Sequence, residues 1–144
     1  MKKIIQKIVL AGIILYKNKI LILQRNKNEK IYPNLWELPS GKKEPLENSI
    51  QTLKREIKEE TNLKIEPIIP ISIFDYIIDK GKKIYDTTQI NYFVKIKNLN
   101  KIKLNKNEHQ NYAWIKIQDL NNYKISKEAK QAIIKTFKIC KKIK

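Results

Sequence analysis

Cysteine is nearly missing from this chain: Cys140 is the only one among 144 residues. No internal disulfide is available, and nothing here requires an oxidising compartment. Long apolar runs are missing as well. Residues 1–15 imitate a secretory leader, with two lysines followed by the apolar run 8–15, but Lys7 interrupts the approach and no small-x-small cleavage site follows. That run is too short to span a bilayer. A buried strand accounts for it, and a cytoplasmic location with no membrane partner is expected. Repeats, linkers and low-complexity segments are also lacking, so the length suits a single domain, residues 1–144, with one ordinary core.

Arginine is the scarcest charged type apart from histidine. Of 31 basic residues only Arg25 and Arg55 are arginine, in a chain whose net charge is +17. The lysines are scattered through every segment, and no aromatic-rich motif accompanies them. That pattern describes solvated surface charge; a nucleic-acid partner is disfavoured, with polyanion attraction as the lesser alternative. The two arginines stand out because a planar guanidinium grips carboxylates and phosphates at two points, which lysine cannot do. With 42% hydrophobic and 31% charged residues, the remaining composition is that of a globular protein.

Periodicity predicts strands over 8–16 and 20–24 around a turn at Asn18-Lys19, then a polar loop to Asn34 and a short extended piece over 35–38. Pro39-Ser40-Gly41 is expected to break regular structure. A helix is predicted over 49–61, capped by Asn48 with Gln51 and stopped by a left-handed Asn62. Ile50, Leu53 and Ile57 form its apolar face. Extended segments over 63–78 and 84–96 flank a turn at residues 80–82. A polar loop over 98–110, a strand over 112–117 and an amphipathic helix over 126–142 complete the chain. Together these predict an α/β domain with a central mixed sheet.

Within the first helix Glu56, Glu59 and Glu60 fall at i, i+3 and i+4, on one edge beside the apolar stripe. Three acids near a helix C-terminus repel one another and oppose the dipole, which a bound divalent cation would relieve. A solvated helix face, with Arg55 and Glu59 as an ordinary i,i+4 pair, fits the same spacing, and spacing alone leaves the two readings open.

The longer pattern Gly41-x5-Glu47-x7-Arg55-Glu56-Ile57-x-Glu59-Glu60-x-Asn62-Leu63 resembles the Nudix box, matching six of its seven fixed letters. Asn62 replaces the final glycine, at a position where asparagine tolerates the left-handed conformation. The run Leu35-Trp36-Glu37-Leu38-Pro39-Ser40 also looks like the usual approach to the box. The resemblance is close over residues 24–63 and looser to about Leu120.

What the resemblance implies is a Nudix-type α/β/α sandwich and hydrolysis of a phosphoanhydride in a nucleoside diphosphate derivative. Its metal would be Mg²⁺, with Mn²⁺ as the alternate ion, held by the Gly41 carbonyl, Glu56, Glu59 and Glu60. Glu47 would support the site through Arg55 or through a metal-bound water, and Arg55 is itself assigned to the catalytic set. Glu56 or Glu108 would serve as base; Glu108 resembles an extra catalytic or metal-binding acid of the family, and an exposed loop acid fits it equally. Arg25 would face substrate, while Tyr32, Phe74 and Tyr76 are candidates for base stacking or plain packing. Trp36 is expected beneath the box loop, and His109 in a solvent-facing loop. A MutT-like nucleoside triphosphate pyrophosphohydrolase leads the readings. ADP-ribose, nucleotide-sugar or dinucleoside polyphosphate hydrolysis, RNA 5′-pyrophosphohydrolysis and a non-enzymatic ligand sensor are the alternatives. Monomer and homodimer both fit.

Overall fold

Side-chain parity along two adjacent strands divides the molecule into layers. In the computed structural model, which describes residues 1–143, β1 (Lys3–Tyr16) and β2 (Lys19–Arg25) form a hairpin. Its turn residues Lys17 and Asn18 both have positive φ, as a tight two-residue hairpin requires. Ala11, Ile13, Ile20 and Ile22 point to one face, where Ala129, Ala132 and Ile133 of the C-terminal helix cover them. Leu10, Ile14, Leu21 and Leu23 point to the other, beneath Leu53 and Ile57. Burying both faces is what makes these strands read as continuous apolar runs.

The remaining elements are β3 (Trp36–Glu37), β4 (Ser40–Lys42), α1 (Ser49–Thr61), β5 (Lys64–Asp79), β6 (Lys83–Asn98), β7 (His109–Ile115) and α2 (Lys127–Ile143), with a 3-10 turn at Ile117–Asn122. The sheet runs β3-β2-β1-β6-β5, with β4 added to β1 and β7 to β2. β1 and β6 are parallel and the other pairs antiparallel, so the sheet is mixed as expected. No helix among the described residues is long and apolar enough to cross a membrane.

α1 begins and ends where local chemistry places it. The Asn48 side chain accepts from the Gln51 amide at 2.9 Å, and the Gln51 side chain accepts from the Asn48 amide at 2.9 Å. Asn62 closes the helix at φ 69°, its amide donating to the Lys58 carbonyl. A Cβ on Gly12 would overlap the Ile57 side chain, so this glycine lets α1 sit close against β1.

Four expectations change. β1 begins at Lys3 rather than Ile8, because β6 pairs with it from Lys3↔Lys83 onward. Ser40 and Gly41 belong to a strand rather than a break, since β1 offers a free edge at Val9–Ala11 that β4 fills. Ile50, in the first turn of α1, is 37% exposed, so the apolar stripe starts at Leu53. Trp36 does not lie under the box loop; its ring meets Tyr123 edge-on at 5.1 Å and its amide donates to the Lys124 carbonyl.

Candidate active site

α1 presents its charged residues to two different surroundings. On the outer side Arg55 forms a two-point contact with Glu47, at 2.7 Å from Nε and 2.9 Å from Nη2. The same guanidinium donates to Glu56 at 2.8 Å and to the Lys42 carbonyl at 3.3 Å. The Thr52 hydroxyl adds a 2.7 Å bond to Glu47. These bonds from Arg55, and next from Thr52, hold the Glu47 carboxyl down to about 2. Glu47 is thus in direct two-point contact with Arg55, one of the two routes by which the resemblance has it support the site. Glu59, with 56% of its side chain exposed, reaches Arg55 only at 3.4 Å.

On the inner side burial outweighs the donors that the acids have, and of these acids Glu56 alone reaches the Arg55 guanidinium. Glu56 is packed so tightly against Gly41 that a Cβ there would overlap its carboxylate. Burial raises its pKa, opposed by Arg55 and reinforced by the charges of Glu59 and Glu108. Glu60 is 6% exposed and accepts one bond, 2.8 Å from the Ser40 amide. Burial pushes its pKa well above the carboxylate range, against the pull of the Ser40 amide, and the charges of Glu108 and Glu37 add to the rise. Among the described residues neither Glu60 nor Glu108 has a lysine or arginine within ion-pair distance. The three box acids thus do not share one environment: Glu56 and Glu60 turn inward, and Glu59 faces solvent.

His109 departs furthest from expectation. It is 1% exposed rather than solvent-facing, because a bulge opposite the Gln24/Arg25 step begins β7 at His109 and turns its ring inward. Its Nε2 lies 2.8 Å from Glu37 Oε2, while Nδ1 has no hydrogen-bond partner and lies 3.9 Å from Glu60 Oε2. Donor atoms of Glu60, Glu108 and His109 all fall within 4.8 Å of one another. Sequence spacing carries no sign of this, since the partners sit on β3, α1 and the start of β7. The nearest hint is that the only histidine adjoins the candidate acid Glu108.

These groups line a cleft of about 890 Å³ together with Gly41 and Arg25. Glu56 stands behind Gly41, and Glu59 lies outside the cleft lining. Arg25 is oriented by Glu29 at 3.4 Å, Glu37 at 3.5 Å and the Ile31 carbonyl at 3.1 Å. Tyr32, Phe74 and Tyr76 line the same cleft, the last two stacked at 5.4 Å. Burial pushes the Tyr76 phenol up to about 12, and its hydroxyl bonds Gln89 at 3.2 Å, so it stays neutral at working pH. Clustered, oxygen-rich acids without a neutralising cation, beside a buried unpaired nitrogen, suit a divalent ion.

The sequence model of the NUDIX domain matches residues 7–137. The chain is 46% identical over 57 residues to an 8-oxo-dGTP diphosphatase of Buchnera aphidicola, covering 40% of this chain and 43% of that protein. It is 33% identical over 73 residues to the 8-oxo-dGDP phosphatase NUDT18 of Mus musculus, covering 51% and 22% respectively. The matches thus span less than half the length of these curated relatives. Among solved structures, a MutT NUDIX hydrolase from Burkholderia pseudomallei superposes with TM-score 0.76 at 20% identity, over 91% of this chain and 98% of that one. A C. elegans Ap4A hydrolase superposes with TM-score 0.72 at 22% identity, over 94% and 97%. At these identities the likeness establishes the α/β sandwich fold.

Proposed function

Because the chain belongs to the NUDIX domain family, we propose that it is a metal-dependent pyrophosphohydrolase converting a nucleoside triphosphate, oxidised purine forms included, to the monophosphate and pyrophosphate. The observation that carries this reading is the pair of inward-turned box acids beside Gly41: Glu56 packed against the glycine, and Glu60 buried, bonded to the Ser40 amide and lacking a lysine or arginine partner among the described residues. The names of the diphosphatase and phosphatase relatives support the choice of nucleotide.

Mg²⁺, or Mn²⁺, would be held by the Gly41 carbonyl and the carboxylates of Glu56, Glu59 and Glu60, neutralising phosphate charge and lowering the pKa of the attacking water. The rest falls to the chain. Arg55, fixed by Glu47, holds Glu56 in one rotamer, so little reorganisation is needed during the reaction. Arg25, braced by Glu29 and Glu37 at the cleft wall, would grip a substrate phosphate. The water's proton has two candidate acceptors: Glu56, made more basic by burial, and Glu108 at the cleft edge. Tyr32 and the Phe74–Tyr76 stack offer aromatic faces to a base.

The test is a panel of substrates with Mg²⁺: ordinary and 8-oxo nucleoside triphosphates, ADP-ribose, nucleotide sugars, dinucleoside polyphosphates and 5′-triphosphate RNA. Mass analysis of the products should show monophosphate and pyrophosphate from a triphosphate. Intact triphosphates beside cleavage of another class would remove this substrate assignment.

A further inference from the structure

We propose that His109 is a metal ligand, its Nδ1 joining the carboxylates of Glu60 and Glu108 in a divalent-cation position that favours Mn²⁺ over Mg²⁺. Only the assignment of Glu60 as a ligand rests on the function proposed above; the histidine is an independent observation.

The ring's own contacts fix its chemistry. A carboxylate only accepts, so the 2.8 Å contact makes Nε2–H the donor to Glu37. Nδ1 then carries a lone pair, buried and without a hydrogen-bond partner, and Glu60 Oε2, at 3.9 Å, is too far to donate to it. A buried lone pair beside a carboxyl group that does not reach it leaves a place for a cation. A carboxylate that fixes one ring nitrogen while the other meets a metal is the usual support of a histidine ligand.

Spacing agrees. Octahedral bonds of about 2.1 Å set adjacent donors about 3.0 Å apart and opposite donors about 4.2 Å apart. The observed 3.9 Å between Nδ1 and Glu60 Oε2 falls between these limits, and Glu108 at the cleft edge completes a group whose donor atoms lie within 4.8 Å of one another, close enough for small side-chain adjustments to close on one ion. An imidazole nitrogen in place of an oxygen shifts preference toward transition ions, whereas Mg²⁺ favours hard oxygen donors.

The test uses tag-free protein and Mn²⁺ alone, without nucleotide. Because His109 is the only histidine, pulsed electron paramagnetic resonance of the Mn²⁺ complex should show a ¹⁴N coupling that changes to ¹⁵N when only histidine is labelled. No substitution is needed, so the folding of a buried-site variant does not enter. His109→Gln should additionally lose the coupling and weaken Mn²⁺ binding by about tenfold or more, with a smaller effect on Mg²⁺. Mn²⁺ binding without histidine nitrogen coupling, or failure of Mn²⁺ to bind, overturns the proposal. Coupling without nucleotide hydrolysis would leave the site standing and reject the proposed reaction; hydrolysis without coupling would do the reverse.

Discussion

The two flanks of α1 carry similar charges and treat them in opposite ways. Around Arg55 every strong acceptor has a donor: Glu47 takes two bonds from the guanidinium and one from Thr52, and Glu56 takes a third arginine hydrogen bond. Around Glu60 there are acids in excess, one amide donor and a buried imidazole nitrogen with nothing to bind. The outer cluster is complete and positions its neighbours. The inner cluster is incomplete, and that incompleteness marks where an added cation would act.

The difference can be broken from either side. Glu60→Gln keeps an acceptor for the Ser40 amide and removes the buried charge. Steady-state assays should show a loss on the order of 10²–10³ in kcat, the scale of removing one preorganised charge-stabilising group. Thermal melts in chelator should show the same variant more stable than the parent by a few degrees at neutral pH. The sign follows from the raised pKa of Glu60. Its stability contribution is full below the unfolded value of about 4.5 and is lost as pH rises toward the folded value. A variant both inactive and less stable would mean that Glu60 is structural.

Arg55→Lys keeps the charge and loses the fork. A drop of about 10–100-fold in kcat is expected from the loosened Glu56, with a smaller change in KM. Unchanged kcat would show that the outer cluster does not position the inner one.

Glu47 sharpens the contrast through pH. Its carboxyl is held at about 2, below the ordinary glutamate value of about 4.5, so its contribution is present above about 4.5 and lost as pH falls toward 2. Acid melts of Glu47→Gln should show a shallower decline than the parent across that window. An identical decline would deny the coupling to Arg55.

The smallest effect is expected at Asn62. Its left-handed backbone favours glycine, but its side chain also donates to the Lys101 carbonyl at 3.0 Å and accepts from Lys58 at 2.8 Å. Asn62→Gly should therefore change stability by about 0.5 kcal/mol or less in chemical denaturation, the two effects offsetting.

What the sequence disclosed follows the range of the interactions. The limits of α1, the Asn48 cap and the Asn62 stop depend on residues within four positions, and all were legible. The Arg55–Glu47 pairing was half legible: the box pattern offered it as one of two ways for Glu47 to support the site. His109 was misread because its burial depends on a bulge between β2 and β7, which no local signal announces. β4 was read as a break because its partner is the exposed edge of β1, remote in sequence. The division of Glu56 and Glu60 from Glu59 required knowing how α1 is rotated against the sheet, which Gly12 and Gly41 set by close contact.

Anomalous diffraction from Mn²⁺-soaked crystals tests the central claim most directly. The account predicts a peak within bonding distance of Glu60, between the Gly41 carbonyl and the cleft. A cleft without a peak at saturating Mn²⁺, with metal found only on exposed acids elsewhere, would contradict it.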